Sequence, residues 1–318
     1  MGEGHLPVLV EEVLALLALR PGSSVADCTV GGGGHADRIL ETTSPGGRLL
    51  GIDADRAAIT EAARHLAQFG DRVELRQANF SGVLDVATDA GFVPLDGVLF
   101  DLGLSSYQLA DPRRGFSFAS ESAPDMRFDE EAGLSALDLI DSTSERELAG
   151  ILSTFGEERR AGRVAKAILA ARQEGRLMTA ADLASVVARA IGHPGRADAG
   201  RIHPATRTFQ ALRIAVNREM EVLGAGLSGA LAALQPGGRM AVISYHSGED
   251  RIVKRFIARE SRDCVEEPMP PVCTCGHRAQ LRPITKGVVT PTADEVGRNP
   301  RARSARLRVA EKLAVASS

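Results

Sequence analysis

The sequence predicts an α/β protein: a doubly wound parallel sheet interrupted by a helical insertion. Three observations carry that expectation. Over the first hundred residues, short apolar runs alternate with stretches of helical period, the signature of parallel strands covered by helices. Over residues 118–207 strand patterns vanish and only helical ones remain. An apolar run then returns at residues 239–245, so the sheet resumes beyond the insertion.

The first strand is expected at 24–28, followed through a glycine-rich turn by a helix at 34–41. Ser44-Pro45-Gly46-Gly47 marks the turn into a second strand at 48–53. A helix at 56–69, a strand at 73–78, a helix at 80–90 and a strand at 97–101 complete two βαβ units. The insertion carries helical patterns at 135–140, 144–154, 160–174 and 179–191. One long helix is expected over 209–234, closed by Pro236-Gly237-Gly238, before the strand at 239–245. The tail, basic and Pro-rich from Cys264 onward, ends at 304–312 in an alternation suited to an edge strand. The sheet domain is therefore discontinuous, 1–117 with 208–318, and 118–207 forms the insertion.

With 44% hydrophobic and 25% charged residues, disorder, collagen and coiled coil are excluded. The apolar run at 13–19 is far shorter than the ~20 residues of a membrane helix, and no basic-then-apolar leader precedes it. Four cysteines are too sparse for a disulfide framework, which points to the cytoplasm. The net charge of −3 is a cancellation: residues 1–150 carry −14 and residues 151–318 carry +11. Such asymmetry signals contact with a polyanion.

Asp27-Cys28-Thr29-Val30-Gly31-Gly32-Gly33-Gly34-His35-Ala36 joins the first strand to its helix. Glycines let a ligand approach the backbone, and the helix N-terminus offers unpaired N–H groups. The spacing Gly31-x-Gly33-x-x-Ala36 also satisfies a dinucleotide pattern, so NAD stays open on these residues alone. Asp53, at the end of the second strand, can accept both hydroxyls of a ribose, which suits NAD and S-adenosylmethionine equally. Phe80 and Asp101 follow the third and fourth strands, so all these positions face one crevice. Phe80 reads either as core or as a wall for an adenine.

Longer motifs narrow the choice. Gly33-Gly34-His35, Asp101-Leu102-Gly103-Leu104-Ser105-Ser106-Tyr107-Gln108-Leu109, Arg114-Gly115-Phe116-Ser117-Phe118, Asp125-Met126-Arg127, Arg207-Thr208-Phe209-Gln210-Ala211-Leu212-Arg213-Ile214, Ser244-Tyr245-His246-Ser247, Glu249-Asp250-Arg251-Ile252-Val253-Lys254 and Asn299-Pro300-Arg301-Ala302-Arg303-Ser304 stand in this order. In these runs the chain resembles the bacterial MraW/RsmH family, S-adenosylmethionine-dependent methyltransferases of cytosine N4 in 16S ribosomal RNA. The resemblance spans nearly the whole chain and implies a Rossmann-like class I methyltransferase fold. It implies cofactor contacts at Gly33, Gly34, His35, Asp53, Phe80, Asp101 and Gln108. The family usually has phenylalanine where Tyr245 stands and leucine where Gly248 stands, and commonly Leu-Asp-Met-Arg where this chain has Pro124-Asp125-Met126-Arg127.

The lone pair of a cytosine amine is delocalised, so its methylation needs in-line placement and an acceptor for one N–H. Asp101 or a carbonyl of residues 102–104 is the expected acceptor. His246 reads either as a proton shuttle or as a hydrogen-bonded loop residue, and Tyr245 as a platform for the base. Arg196, Arg201, His203, Arg207, Arg213 and Arg218 cluster at one junction, and Arg298, Arg301, Arg303, Arg306 and Arg308 crowd the tail. Among them Arg207, Arg213, Arg301 and Arg303, with Tyr245, are the expected contacts to 16S rRNA or the small ribosomal subunit. Arg301 and Arg303 would share one face of an extended chain.

Cys264, Cys273, Cys275 and His277 suggest zinc, but the one-residue cysteine gap is unusual for a structural site, and no metal is expected. Competing readings are an amino-methyltransferase acting on another nucleic acid or a small molecule, and a non-catalytic RNA-binding assembly factor. The glycine turn with Asp53 and Asp101 disfavours the factor, which has no need of a cofactor crevice.

Overall fold

The computed structural model describes residues 7–192, 203–266 and 274–314. They form two compact units, Met1–Gly103 with Met220–Ser318, and Leu104–Glu219. The helical unit therefore begins and ends outside the expected 118–207.

In the first unit, α1 (Val10–Leu17) precedes β1 (Ser24–Asp27), α2 (Gly34–Thr42), β2 (Arg48–Asp53), α3 (Arg56–His65), β3 (Val73–Gln77), α4 (Val83–Asp89) and β4 (Leu95–Asp101). The strands are near-continuous apolar runs, as a sheet covered on both faces requires. Val25, Leu49, Leu99 and Ile243 point into one core cluster, and Ala26, Leu50, Val98 and Val242 into the other. The sheet order is β3-β2-β1-β4-β5-β7-β6, where β5 is Leu234–Ser244, β6 Leu281–Pro283 and β7 Arg306–Lys312. Strands β1 to β5 run parallel and β7 antiparallel. Strand order reverses between β1 and β4, the switch point where open α/β sheets place their ligands.

Among its described residues the second unit has helices and no strand: α5 (Ser106–Ala110), α6 (Ala136–Ser142), α7 (Glu145–Gly156), α8 (Ala161–Gln173), α9 (Ala180–Ile191) and α10 (Thr206–Val216). Ser105, Ser135, Ser144 and Thr179 each start a helix with a reciprocal capping box, which satisfies N–H groups that would otherwise be orphaned. Gly156 lets α7 cross α10 closely, since a Cβ there would collide with the Arg207 carbonyl.

Three expectations need correction. The single helix over 209–234 is broken into α10 and α11 (Glu219–Ala233), with Arg218 at φ 49°. The break follows from Asn217, whose side chain accepts from Phe128 N and donates to Met126 O, so it serves a distant loop. Pro236-Gly237-Gly238 closes no helix but lies inside β5, where its register against β4 shifts. The 304–312 strand is not an edge: β7 pairs with β5 on one side and β6 on the other. Among the described residues, no helix is long and apolar enough to cross a membrane.

Candidate cofactor crevice

The parallel strands deliver Asp27, Asp53 and Asp101 to one edge of the sheet, at the ends of β1, β2 and β4. Beyond β1 the backbone keeps bonding to the sheet: Cys28 N donates to Leu99 O and Val30 N to Ile52 O. Gly31 N then donates to Asp53 Oδ2 at 3.0 Å, tying the turn to the second carboxylate. Gly33 closes the turn at φ 89°, a conformation that disfavours any side chain, and no side chain caps α2. A Cβ on Gly33 would also press on Leu66 Cγ at 3.2 Å.

Asp53 Oδ1 accepts from Asp55 N at 2.9 Å, so backbone N–H groups orient both of its oxygens. Four lone-pair directions on a carboxylate leave capacity for further donors such as hydroxyls. Asp27, 1% exposed, accepts from Thr29 N at 3.2 Å. Burial pushes its carboxyl up to about 7, with Asp101 and Asp53 adding to the rise and His35 and the Thr29 N–H opposing it. Sequence reasoning passed over Asp27, although an aspartate ending an apolar strand was the same signal that singled out Asp53 and Asp101.

Asp101 is held from three sides. Tyr245 Oη donates to Oδ1 at 2.8 Å, His35 Nδ1 lies 3.5 Å from Oδ2, and Asp101 N donates to Thr29 Oγ1. Burial, followed by the Asp101 charge, holds the Tyr245 phenol well above its ordinary value, so Tyr245 stays a donor. The His35 Nε2 donates to the Val8 carbonyl at 2.9 Å, since a carbonyl can only accept. Gly34 opens α2 beside Pro7. Phe80 is half-buried, edge-on to Phe100 at 5.4 Å, and sits over Gly226, where a Cβ would come within 2.7 Å of its ring. His246 caps α12 (Ser247–Glu260): its side chain accepts from Glu249 N, which favours the loop-stabilising reading over a shuttle.

Gln108 belongs to the helical unit, where it is buried and its Oε1 accepts from Ser105 N. Arg207 is exposed on α10. Arg213 makes a two-pronged pair with Glu219 at 2.7 and 2.9 Å, a structural role. His203 stacks on Phe118 at 4.5 Å. Arg196, Arg201 and Cys273 lie outside the described residues. Arg306 and Arg308 both pair with Asp250. Arg301 and Arg303 are exposed, but they flank buried Ala302 in a 3₁₀ turn, Pro300–Ser304. They splay apart by about a third of a turn instead of sharing one face, because that helix has three residues per turn.

A family model, the MraW methylase family, matches residues 2–313. The chain belongs to the MraW methylase family. Ribosomal RNA small subunit methyltransferase H of Thermomicrobium roseum is 49% identical over 310 residues, covering 98% of this chain and 94% of that protein. The protein of the same name from Syntrophotalea carbinolica is 48% identical over 309 residues, covering 97% and 98% respectively. A putative methyltransferase from Streptococcus mutans, solved in complex with SAH, aligns with a TM-score of 0.45 at 12% identity over 97% of this chain and 100% of that one.

Some motifs shared with the MraW methylase family build the helical unit. Arg114 is buried, its guanidinium donating to the carbonyls of Arg127 and Phe128, and Met126 N returns a bond to Arg114 O. Asp125 grips Arg127 with two bonds of 2.9 and 2.7 Å. These residues knot the irregular 115–128 segment, which lacks a strand or helix to satisfy its backbone.

Proposed function

We propose that this MraW methylase transfers a methyl group from S-adenosylmethionine to the exocyclic N4 amine of a cytidine in the 16S rRNA of the small ribosomal subunit. The observation that carries the reading is the crevice itself: a glycine turn leading to an uncapped helix, ringed by Asp27, Asp53 and Asp101. Three carboxylates, one of them buried and pushed up to about 7, suit a ligand with cationic sulfonium and ammonium groups better than one with a pyrophosphate. The negative charge at the strand ends therefore favours S-adenosylmethionine over NAD. Near-half identity to proteins named as small-subunit rRNA methyltransferases supports the substrate class.

S-adenosylmethionine supplies a methyl group on a positively charged sulfur and leaves as a neutral thioether. The chain's own work is placement. Asp53, oriented by Gly31 and Asp55, accepts the ribose hydroxyls, and the turn at Gly33-Gly34-His35 lets the methionine end lie against backbone. Phe80, pinned on Phe100 and Gly226, walls the adenine side. Asp101, fixed by Tyr245 at Oδ1, accepts a hydrogen of the target amine and favours the pyramidal nitrogen whose lone pair can attack. Exposed Arg207, Arg301 and Arg303 contact RNA phosphates, a role the pairing of Arg213 with Glu219 takes from that residue.

Incubation with labelled S-adenosylmethionine and small subunits lacking the modification should put label on one cytidine. Label on protein, or none on RNA, overturns the assignment. Asp101→Asn should lower turnover; near-normal turnover with weakened cofactor binding would leave Asp101 as a cofactor contact only. S-adenosylmethionine, and not NAD, should raise the melting temperature.

A further inference from the structure

Cys264, Glu266 and Cys275 belong to the stretch that leaves α12 and returns to β6. One ligating atom from each, two sulfurs and a carboxylate oxygen, all fall within 4.8 Å of one another. Cys264 Sγ stands 3.9 Å from Glu266 Oε2. We propose that these three groups bind a zinc-class divalent cation, with a fourth position completed by water or another donor.

The dimensions suit the ion. Tetrahedral zinc, at about 2.3 Å to sulfur and about 2.0–2.2 Å to oxygen, needs its ligand atoms roughly 3.5–3.8 Å apart. Small side-chain rotations supply the remaining approach. Two thiolates select zinc over magnesium or calcium, which prefer all-oxygen shells. Outer contacts already aim the ligands: Thr274 Oγ1 donates to Glu266 Oε1 at 2.8 Å, and His277 N donates to Cys275 Sγ at 3.5 Å. His277 itself is not a ligand, since its Nδ1 meets the Arg262 carbonyl at 2.8 Å and its Nε2 meets Glu260 at 3.0 Å. That removes the imidazole from the donor set the sequence suggested and puts a carboxylate in its place.

The segment has need of a clip. Among the described residues, none between Glu260 and Leu281 is a buried hydrophobic. What returns it to the sheet are polar bonds, such as Gln280 N to Glu260 O at 2.7 Å. A metal cross-link would hold this connection closed and set β6 beside β7.

The test uses the full chain, purified under a thiol reductant without chelator, exposed to zinc and dialysed. Metal analysis should find stoichiometric zinc, and cobalt(II) added to the metal-free chain should give a thiolate-to-cobalt charge-transfer band and tetrahedral visible bands. Cys264→Ser and Cys275→Ser should each weaken zinc binding by about two orders of magnitude or more, with Glu266→Gln weaker in effect. Circular dichroism of each variant separates lost metal from lost fold, and the spectrum of the unsubstituted chain depends on no variant. No retained zinc and no charge-transfer band in the reduced unsubstituted chain would overturn the proposal. So would zinc retained by the double serine variant, or a Cys264–Cys275 disulfide in chain kept free of oxidant.

Discussion

Replacing Asp27 by asparagine should make the protein more stable at neutral and alkaline pH, with a gain that grows as pH rises toward about 7 and levels off above it. Asp27 is 1% exposed, and burial pushes its carboxyl from an ordinary 3.8 up to about 7. Between those two values the unfolded chain is ionised at this position while the folded chain keeps a proton. Stability from this group is therefore fully present below about pH 4, falls by about 1.4 kcal/mol per pH unit from there to about pH 7, and levels off above it as the folded carboxyl ionises too. Asparagine does not titrate, and its amide oxygen can still accept from Thr29 N. From pH 5 to pH 8 the stability difference between variant and parent should widen by about 3 kcal/mol in favour of the variant. Urea denaturation of both proteins at pH 5, 6, 7 and 8 measures it. A difference that stays constant across that range would show Asp27 ionised throughout, and a carboxyl kept protonated by burial would be ruled out.

A cation in the crevice lowers the Asp27 pKa, so S-adenosylmethionine should bind with proton release near pH 7 and more tightly as pH rises through 7. Calorimetry in two buffers of different ionisation enthalpy should show this for the parent and not for Asp27→Asn. Gly33→Ala forces a side chain into φ 89° against Leu66 and should cost about 1–2 kcal/mol, with weaker cofactor binding, read from urea melts and a cofactor titration. Arg207→Ala and Arg303→Ala should each weaken RNA binding and reduce its salt slope by about one, as loss of a phosphate contact does. Arg308→Ala should instead lower stability, because Arg308 already pairs with Asp250 at 2.7 Å; a filter-binding salt series and a thermal melt separate the two behaviours.

The crevice was largely legible in the sequence because its residues sit at strand ends. An apolar run that stops at an aspartate, as at Asp53 and Asp101, names both a parallel strand and the crevice edge it feeds. Asp27 obeys the same rule, but its raised pKa depends on burial and on carboxylates from β2 and β4, which no local pattern reveals. The long helix over 209–234 failed for a related reason. Helical period is a local property, whereas Asn217 breaks the helix to serve residues 126 and 128, about ninety positions away. The arginines divide in the same way: Arg213, Arg306 and Arg308 resemble Arg207 and Arg303 in sequence, and differ only in having a carboxylate folded against them.

By itself the sequence determined the chain's class and chemistry: alternating apolar runs, a glycine turn before a helix, aspartates at strand ends, and ordered motifs of the MraW methylase family. These are written in local spacing and side-chain type, which survive any arrangement of the rest. Tertiary structure alone decided that β7 lies within the sheet, that Tyr245 holds Asp101, and that a Glu266 carboxylate oxygen gathers with the sulfurs of Cys264 and Cys275. Each of those outcomes depends on which groups meet across long stretches of chain, and burial then sets whether a charge is solvated, paired or shifted.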